Sequence, residues 1–150
     1  MSEILLKNAV ILNTTLKTKD ECFHYISEKA EKLKLITNKQ SLYESLWKRE
    51  NEISTGFTDG IAIPHAKDAC VLSPSILFIK NNNGIDWGSL DNQLIRIVIS
   101  IIVPSNSECN LHLKLLSKLA KKLMDEEFRA LLTSETDQDV IYQELCAILE

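Results

Sequence analysis

Three histidines, His24, His65 and His112, are the side chains best placed by type to do chemistry near neutral pH. A neutral imidazole is a good nucleophile at pH 7, because its ordinary pKa is about 6.5. His65 follows the apolar run Ile61-Ala62-Ile63-Pro64. That run reads as a short buried strand that Pro64 cuts off, so the chain is expected to leave the sheet at His65. Strand ends in α/β folds are where ligands bind. Two turns precede it, Ser54-Thr55-Gly56 and Thr58-Asp59-Gly60. Their glycines can bring backbone N–H groups close to a bound anion. Spacing alone leaves His65 open between a functional and a packing role.

His112 shares a helical face with Leu116, Leu119, Ala120 and Leu123. It is either a core histidine with one satisfied nitrogen or a first-turn residue. In the first turn it could meet an anion or orient another imidazole. Arg49 closes a helix just before the turn region. It is an ordinary surface arginine unless the Ser54–Gly60 loop folds its guanidinium back towards His65. In that case it offers a fork of donors to phosphate oxygens. His24, beside Phe23, reads as a surface or half-buried filler. No His-x-x-x-His or Cys-x-x-Cys spacing supports a metal site, and neither metal nor cofactor is expected.

These residues need elements to hold them. Thr18-Lys19-Asp20-Glu21 is a capping box followed by Cys22, Phe23, Ile26, Ala30 and Leu33 at helical spacing. Thr37-Asn38-Lys39-Gln40 is a second box leading into Leu42, Tyr43, Leu46 and Trp47. Ser75–Lys80 and Leu94–Val103 are rich in Ile, Leu and Val and read as strands, with Asn81-Asn82-Asn83-Gly84 punctuating the gap. Ala9–Leu12 could add an N-terminal strand. From about Ser107 to Met124 runs a long apolar stripe. Asp125-Glu126-Glu127 then opens a short helix, and Thr136-Asp137-Gln138-Asp139 opens the last. Helices and strands interleave, which argues for an α/β fold, one domain over residues 1–150, with helices covering a sheet.

Composition narrows the function. The 150 residues are 45% apolar and 25% charged, with a net charge of -4. No segment gathers five basic residues, so nucleic-acid binding is disfavoured. The apolar run Ile97–Val103, broken only by Ser100, is far short of the ~20 residues a membrane helix needs. The start MSEILLKNAV lacks the marks of a signal peptide, and a cytoplasmic location is expected. Cys22, Cys70, Cys109 and Cys146 are scattered and read as structural free thiols.

The stretch from Arg49 to Lys67, RENEISTGFTDGIAIPHAK, closely resembles the active-site segment of the fructose/mannitol class of enzyme IIA. These are phosphocarrier domains of the bacterial phosphoenolpyruvate-dependent sugar phosphotransferase system. The resemblance extends to Gly84-Ile85-Asp86-Trp87, Val103-Pro104, the His112–Leu123 helix and Asp125-Glu126-x-Phe128-Arg129. It implies a mixed sheet with helices on both faces. It implies that His65 is phosphorylated, with His112 and Arg49 beside it, and more weakly that Thr55 and Ser54 bind phosphate. It implies that HPr donates to His65, which passes the group to a cysteine of a IIB component serving a membrane IIC. A fructose-type sugar is favoured, with mannitol or galactitol as alternatives.

One position departs from the family pattern. Thr58 stands where Gly or Ala is usual, and a β-branched residue takes positive φ poorly. The loop before His65 could therefore differ in shape, with Gly60 supplying the freedom. Three other readings compete. A nitrogen-regulatory IIA protein would use the same site to signal. A binding module that had lost catalysis would be expected to lack His65. A metalloenzyme finds no ligand spacing.

Overall fold

The computed structural model describes residues 4–107 and 110–149. Cys109 lies outside them. The elements are β1 (Leu5–Thr14), α1 (Lys19–Lys32), α2 (Lys39–Glu50), β2 (Gly56–Thr58), β3 (Ile61–Ala62), β4 (His65–Asp68), β5 (Ser75–Ile85), β6 (Ile95–Pro104), α3 (Leu111–Leu123), α4 (Glu126–Ser134) and α5 (Gln138–Leu149). They form a single α/β domain with one mixed sheet.

The sheet runs β1-β5-β6-β3-β2, and β4 also pairs with β6. β1 is parallel to β5, β5 antiparallel to β6, and β3 and β4 both parallel to β6. The apolar run Ile97–Val103 forms most of β6, and all seven of its residues are buried. A strand can be buried at every position only if both of its faces are covered. Helices supply that cover. α1 and α2 pack together, with α2 against β4, while α3 lies on β6 and α5 on β1.

The helix starts follow local chemistry. Thr18 caps α1 by accepting the Glu21 N–H at 3.0 Å, while the Glu21 carboxylate reaches back to the N–H of Lys17. At α2 the cap is Asn38, not Thr37, since the Asn38 side chain accepts from Ser41 N–H. Asp125 caps α4 through Glu127 N–H. The stripe expected from Ser107 becomes helix only at Leu111.

Two expectations about strands need correction. The Asn-rich stretch after Lys80 is not a break, because β5 continues through it to Ile85. Asn81 is buried, and its side chain stands in for missing ladder partners. Its Oδ1 accepts from Thr14 Oγ1 and Leu16 N–H, and its Nδ2 donates to the carbonyls of Leu16 and Asn83, all at 2.8 Å. Pro64 likewise does not end the pairing. Ile61 and Ala62 lie opposite Ile97 and Val98, and His65 and Ala66 lie opposite Ile101 and Ile102 in the same register. Proline lacks only the N–H; its carbonyl still accepts Ile101 N–H at 3.1 Å. His65 therefore sits inside the ladder rather than at its exit.

The Thr58 departure is absorbed by its neighbours. Thr58 ends β2 with no need for positive φ, and the turn is made by Asp59 at φ 49° and Gly60 at φ 80°. An Asp-Gly pair in this region is what a tight two-residue hairpin turn demands. The Gly60 carbonyl then accepts from Arg96 and Ile97 N–H, tying the hairpin to β6. Arg129 on α4 pins Asp59 through a 2.8 Å ion pair.

Candidate functional site

His65 is delivered by β4, which is locked to the central strand of the sheet. It is 8% exposed. Its Nδ1 lies 3.0 Å from the carbonyl of Ile63, and its Nε2 lies 3.0 Å from Nε of Arg49. A carbonyl can only accept and a guanidinium can only donate. The ring is therefore the tautomer with hydrogen on Nδ1 and an available lone pair on Nε2.

Arg49 comes from the last turn of α2. Its guanidinium does fold back to His65, but the anchor is the Ile53 carbonyl, which accepts from Nη1 at 2.9 Å. α2 is fixed against β4 by a second contact. Ser41 and Ser45, two turns and one turn before Arg49 on one helical face, both donate to the Asp68 carboxylate, at 2.8 and 2.5 Å. Hydrogen bonds from Cys70, Ser45 and Ser41 outweigh the burial that would raise Asp68, and hold it below its ordinary value. One face of α2 thus reads both ends of β4.

His112 enters from the first turn of α3. Its ring centroid is 6.3 Å from that of His65, with 31° between the planes. Its Nδ1 is buried and has no hydrogen-bond partner among the described residues. Burial first, then the charge of Lys67, pushes its pKa down from 6.5. For His65, burial again leads, with Arg49 and His112 adding to the fall and the Ile63 carbonyl opposing it. Both rings are held towards the neutral form, the form in which imidazole is nucleophilic.

His65, Arg49 and His112 line one cleft of about 490 Å³, together with Lys48, Lys67 and the half-buried Leu116. A phosphoryl-sized anion fits such a space between cationic and N–H donors. The structure brings these three residues together, whereas Ser54 and Thr55 do not line the cleft. The Ser54 hydroxyl accepts from Gly56 N–H, and the Thr55 hydroxyl donates to Glu50. His24 is exposed, stacks on Tyr43 at 4.0 Å and does not line the cleft. Among the described residues no group of three or more His, Cys, Asp or Glu could hold a metal ion. Cys22, Cys70 and Cys146 are free thiols. Burial pushes the Cys22 thiol up to about 12.

A family model described as "Phosphoenolpyruvate-dependent sugar phosphotransferase system, EIIA 2" matches residues 3–147. The chain belongs to this EIIA family. EIIA components are phosphotransferases of the sugar phosphotransferase system. Among the relatives of this EIIA chain is the fructose-specific EIIABC component of Bacillus subtilis (strain 168), 36% identical over 141 residues. The match covers 94% of this chain and 22% of that protein, so the chain spans only a fraction of the relative's length. The crystal structure of nitrogen regulatory protein IIA-Ntr from Neisseria meningitidis superposes with a TM-score of 0.87 at 27% identity, over 99% of this chain and 97% of that one. The IIA mannitol chain in a complex with phosphorylated IIB mannitol from Escherichia coli shares the fold. Its TM-score is 0.78 at 23% identity, over 95% and 96% of the two chains. No helix among the described residues is long and apolar enough to cross a membrane.

Glu50 was not singled out from the sequence, although it is 5% exposed and adjoins Arg49. A signal for it existed. Leu42, Leu46 and Glu50 fall at i, i+4, i+8 on the buried stripe of α2, so a carboxylate occupies an apolar position.

Proposed function

We propose that His65 is the phosphoryl acceptor of this EIIA chain, loaded by phosphohistidine on HPr and unloaded by a cysteine of a IIB component during sugar uptake. The observation that carries this reading is the assignment of both ring nitrogens of His65 by Ile63 and Arg49. It supports Nε2 as the nucleophile.

In the first transfer the Nε2 lone pair forms a bond to phosphorus as the donor's N–P bond breaks, and the donor imidazole keeps the released pair. The positive charge gained by the His65 ring is shared through Nδ1–H with the Ile63 carbonyl. Arg49 Nε–H, displaced from Nε2 by the new bond, turns to a phosphoryl oxygen. His112 faces the same group from α3. Phosphoryl transfer has a loose transition state, so holding these groups in place is most of the work. In the second transfer a thiolate attacks phosphorus, the Nε2–P bond breaks, and its pair returns to His65. One arginine and the neutral imidazole of His112 hold the group on His65 firmly enough to position it and weakly enough to give it up.

Identity with the Bacillus subtilis component supports a fructose-type sugar, and the Escherichia coli complex supports docking of a IIB partner. Both partners would meet the chain in the cytoplasm. The likeness to the Neisseria protein favours a second reading, in which phosphorylation of the same site serves regulation.

The test uses phosphoenolpyruvate, enzyme I and HPr, with intact mass recorded at neutral and acidic pH. One acid-labile phosphoryl group is expected on the wild type and none on His65→Ala. No gain on the wild type, with HPr itself phosphorylated, would overturn the proposal. Transfer onward to a IIB cysteine separates the sugar carrier from the regulator.

A further inference from the structure

We infer that Glu50 and Thr55 are positioning residues for phosphoryl transfer: they set both contacts that hold His65 ready without touching the phosphoryl group. This rests on the reading of His65 as the acceptor.

The Glu50 carboxylate is enclosed by donors. Lys19 Nζ and Thr55 N–H each reach Oε2 at 3.0 Å, and the Thr55 hydroxyl reaches Oε1 at 2.5 Å. The buried indole of Trp87 donates to Thr55 Oγ1 at 3.3 Å and completes the hydroxyl's bonding. Lys19 is itself confined, its ammonium 5.7 and 5.4 Å from the ring centroids of Trp47 and Trp87. A buried carboxylate is costly unless it is satisfied in this way, and removing one partner leaves the rest unpaired.

Two routes lead from Thr55 to the cleft. The Thr55 carbonyl accepts Ile63 N–H at 2.9 Å, and the carbonyl of the same Ile63 accepts Nδ1–H of His65. Two residues before Thr55, the Ile53 carbonyl holds Arg49 Nη1. The short loop from α2 to β2 therefore carries the anchor for Arg49, and its far end is fixed by Arg49's own neighbour, Glu50. One side-chain pair sets the rotation of the imidazole and of the guanidinium together. A contact that served only the core would change unfolding and leave the His65 tautomer alone.

The discriminating variants are Thr55→Val, which removes the hydroxyl at nearly constant shape, Thr55→Ser, which keeps it, and Glu50→Gln. Each is followed by single-turnover phosphorylation from phospho-HPr and by the ¹⁵N signals of the His65 ring in the unphosphorylated protein. Thr55→Val and Glu50→Gln are expected to slow transfer by about 10-fold or more, within the ~10²-fold that a 1 Å misplacement can cost. The ring signals should move from a single Nδ1–H tautomer towards a mixture. Thr55→Ser should recover most of the rate and the wild-type signals. Wild-type rate and unchanged ring signals in a folded Thr55→Val protein would overturn the inference. If Thr55→Val does not fold, Glu50→Gln decides on the same two outcomes. A wild type that accepts no phosphoryl group overturns the reading of His65 and this inference with it. The variants, by contrast, can fail the inference alone while the wild type is still phosphorylated.

Discussion

The imidazoles of His65 and His112 lie 6.3 Å apart, centroid to centroid, on two different elements, a strand locked into the sheet and the first turn of α3. The gap is too wide for the rings to bond each other and suited to an oxygen-bearing group between them. Both residues line the same cleft, so such a group would meet both rings. His112→Ala is expected to slow phosphorylation of His65 by about 10²–10³-fold, the usual cost of removing one preorganised charge-stabilising donor. His112→Asn, which keeps a donor, should lose less. Rapid-quench kinetics with phospho-HPr would measure both.

Arg49 does two jobs with two different nitrogens, Nε to His65 and Nη1 to Ile53. Lysine carries all its donors on one atom and lacks the rigid planar fork whose separate nitrogens meet His65 and Ile53. Arg49→Lys should therefore behave more like Arg49→Ala than like wild type, losing about 10²-fold in transfer rate. In the same protein the His65 ring should lose its fixed tautomer, which ¹⁵N spectroscopy would show.

The pH dependence has a definite sign. Burial holds the His65 pKa below 6.5, and protonation would consume the Nε2 lone pair. The rate of acceptance should be flat above pH 6.5 and fall on acidification with a midpoint below 6.5. Stability follows the same groups. As pH falls below 6.5 the unfolded chain binds protons at these histidines before the folded one does. The contribution of His65 and His112 is thus present above 6.5 and lost as pH falls through their folded values. Urea denaturation at a series of pH values should show a loss of stability that is smaller in His65→Gln. A rate midpoint above 6.5 would contradict the burial of the ring.

The hairpin before His65 gives a stability test that leaves the chemistry alone. Thr58 lies in a strand, so Thr58→Gly should destabilise by about 0.5–1 kcal/mol. Gly60→Ala places a side chain at φ 80° with the Leu94 carbonyl oxygen 3.1 Å from the new Cβ, and should cost at least about 1–2 kcal/mol. Thermal unfolding would rank the two variants. The reverse order would mean that the positive-φ demand falls on Thr58.

Much of this was legible in the sequence, and the failures have physical causes. The Thr18 box, the Asp125 cap and the apolar run of β6 announced themselves because capping and burial are local or periodic. His65, His112 and Arg49 could be named, yet only the fold could bring a strand, a helix C-terminus and a helix N-terminus to one cleft. Pro64 was over-read as a stop, because a missing N–H says nothing of the carbonyl that keeps the ladder in register. The Asn81–Gly84 stretch was misread because a buried asparagine with four partners looks, in sequence, like a turn. Thr55 fell in the right segment, but its hydroxyl faces Glu50, a partner that spacing alone did not suggest.

The most direct test of His65 as a carrier is to label its ring with ¹⁵N, load the protein from phospho-HPr, and read the nitrogen that bears phosphorus by ¹⁵N and ³¹P NMR. Phosphorus on Nε2, with Nδ1–H retained on Ile63, is the result expected from the Arg49–His65–Ile63 geometry. Phosphorus on Nδ1, or on any residue other than His65, would contradict it.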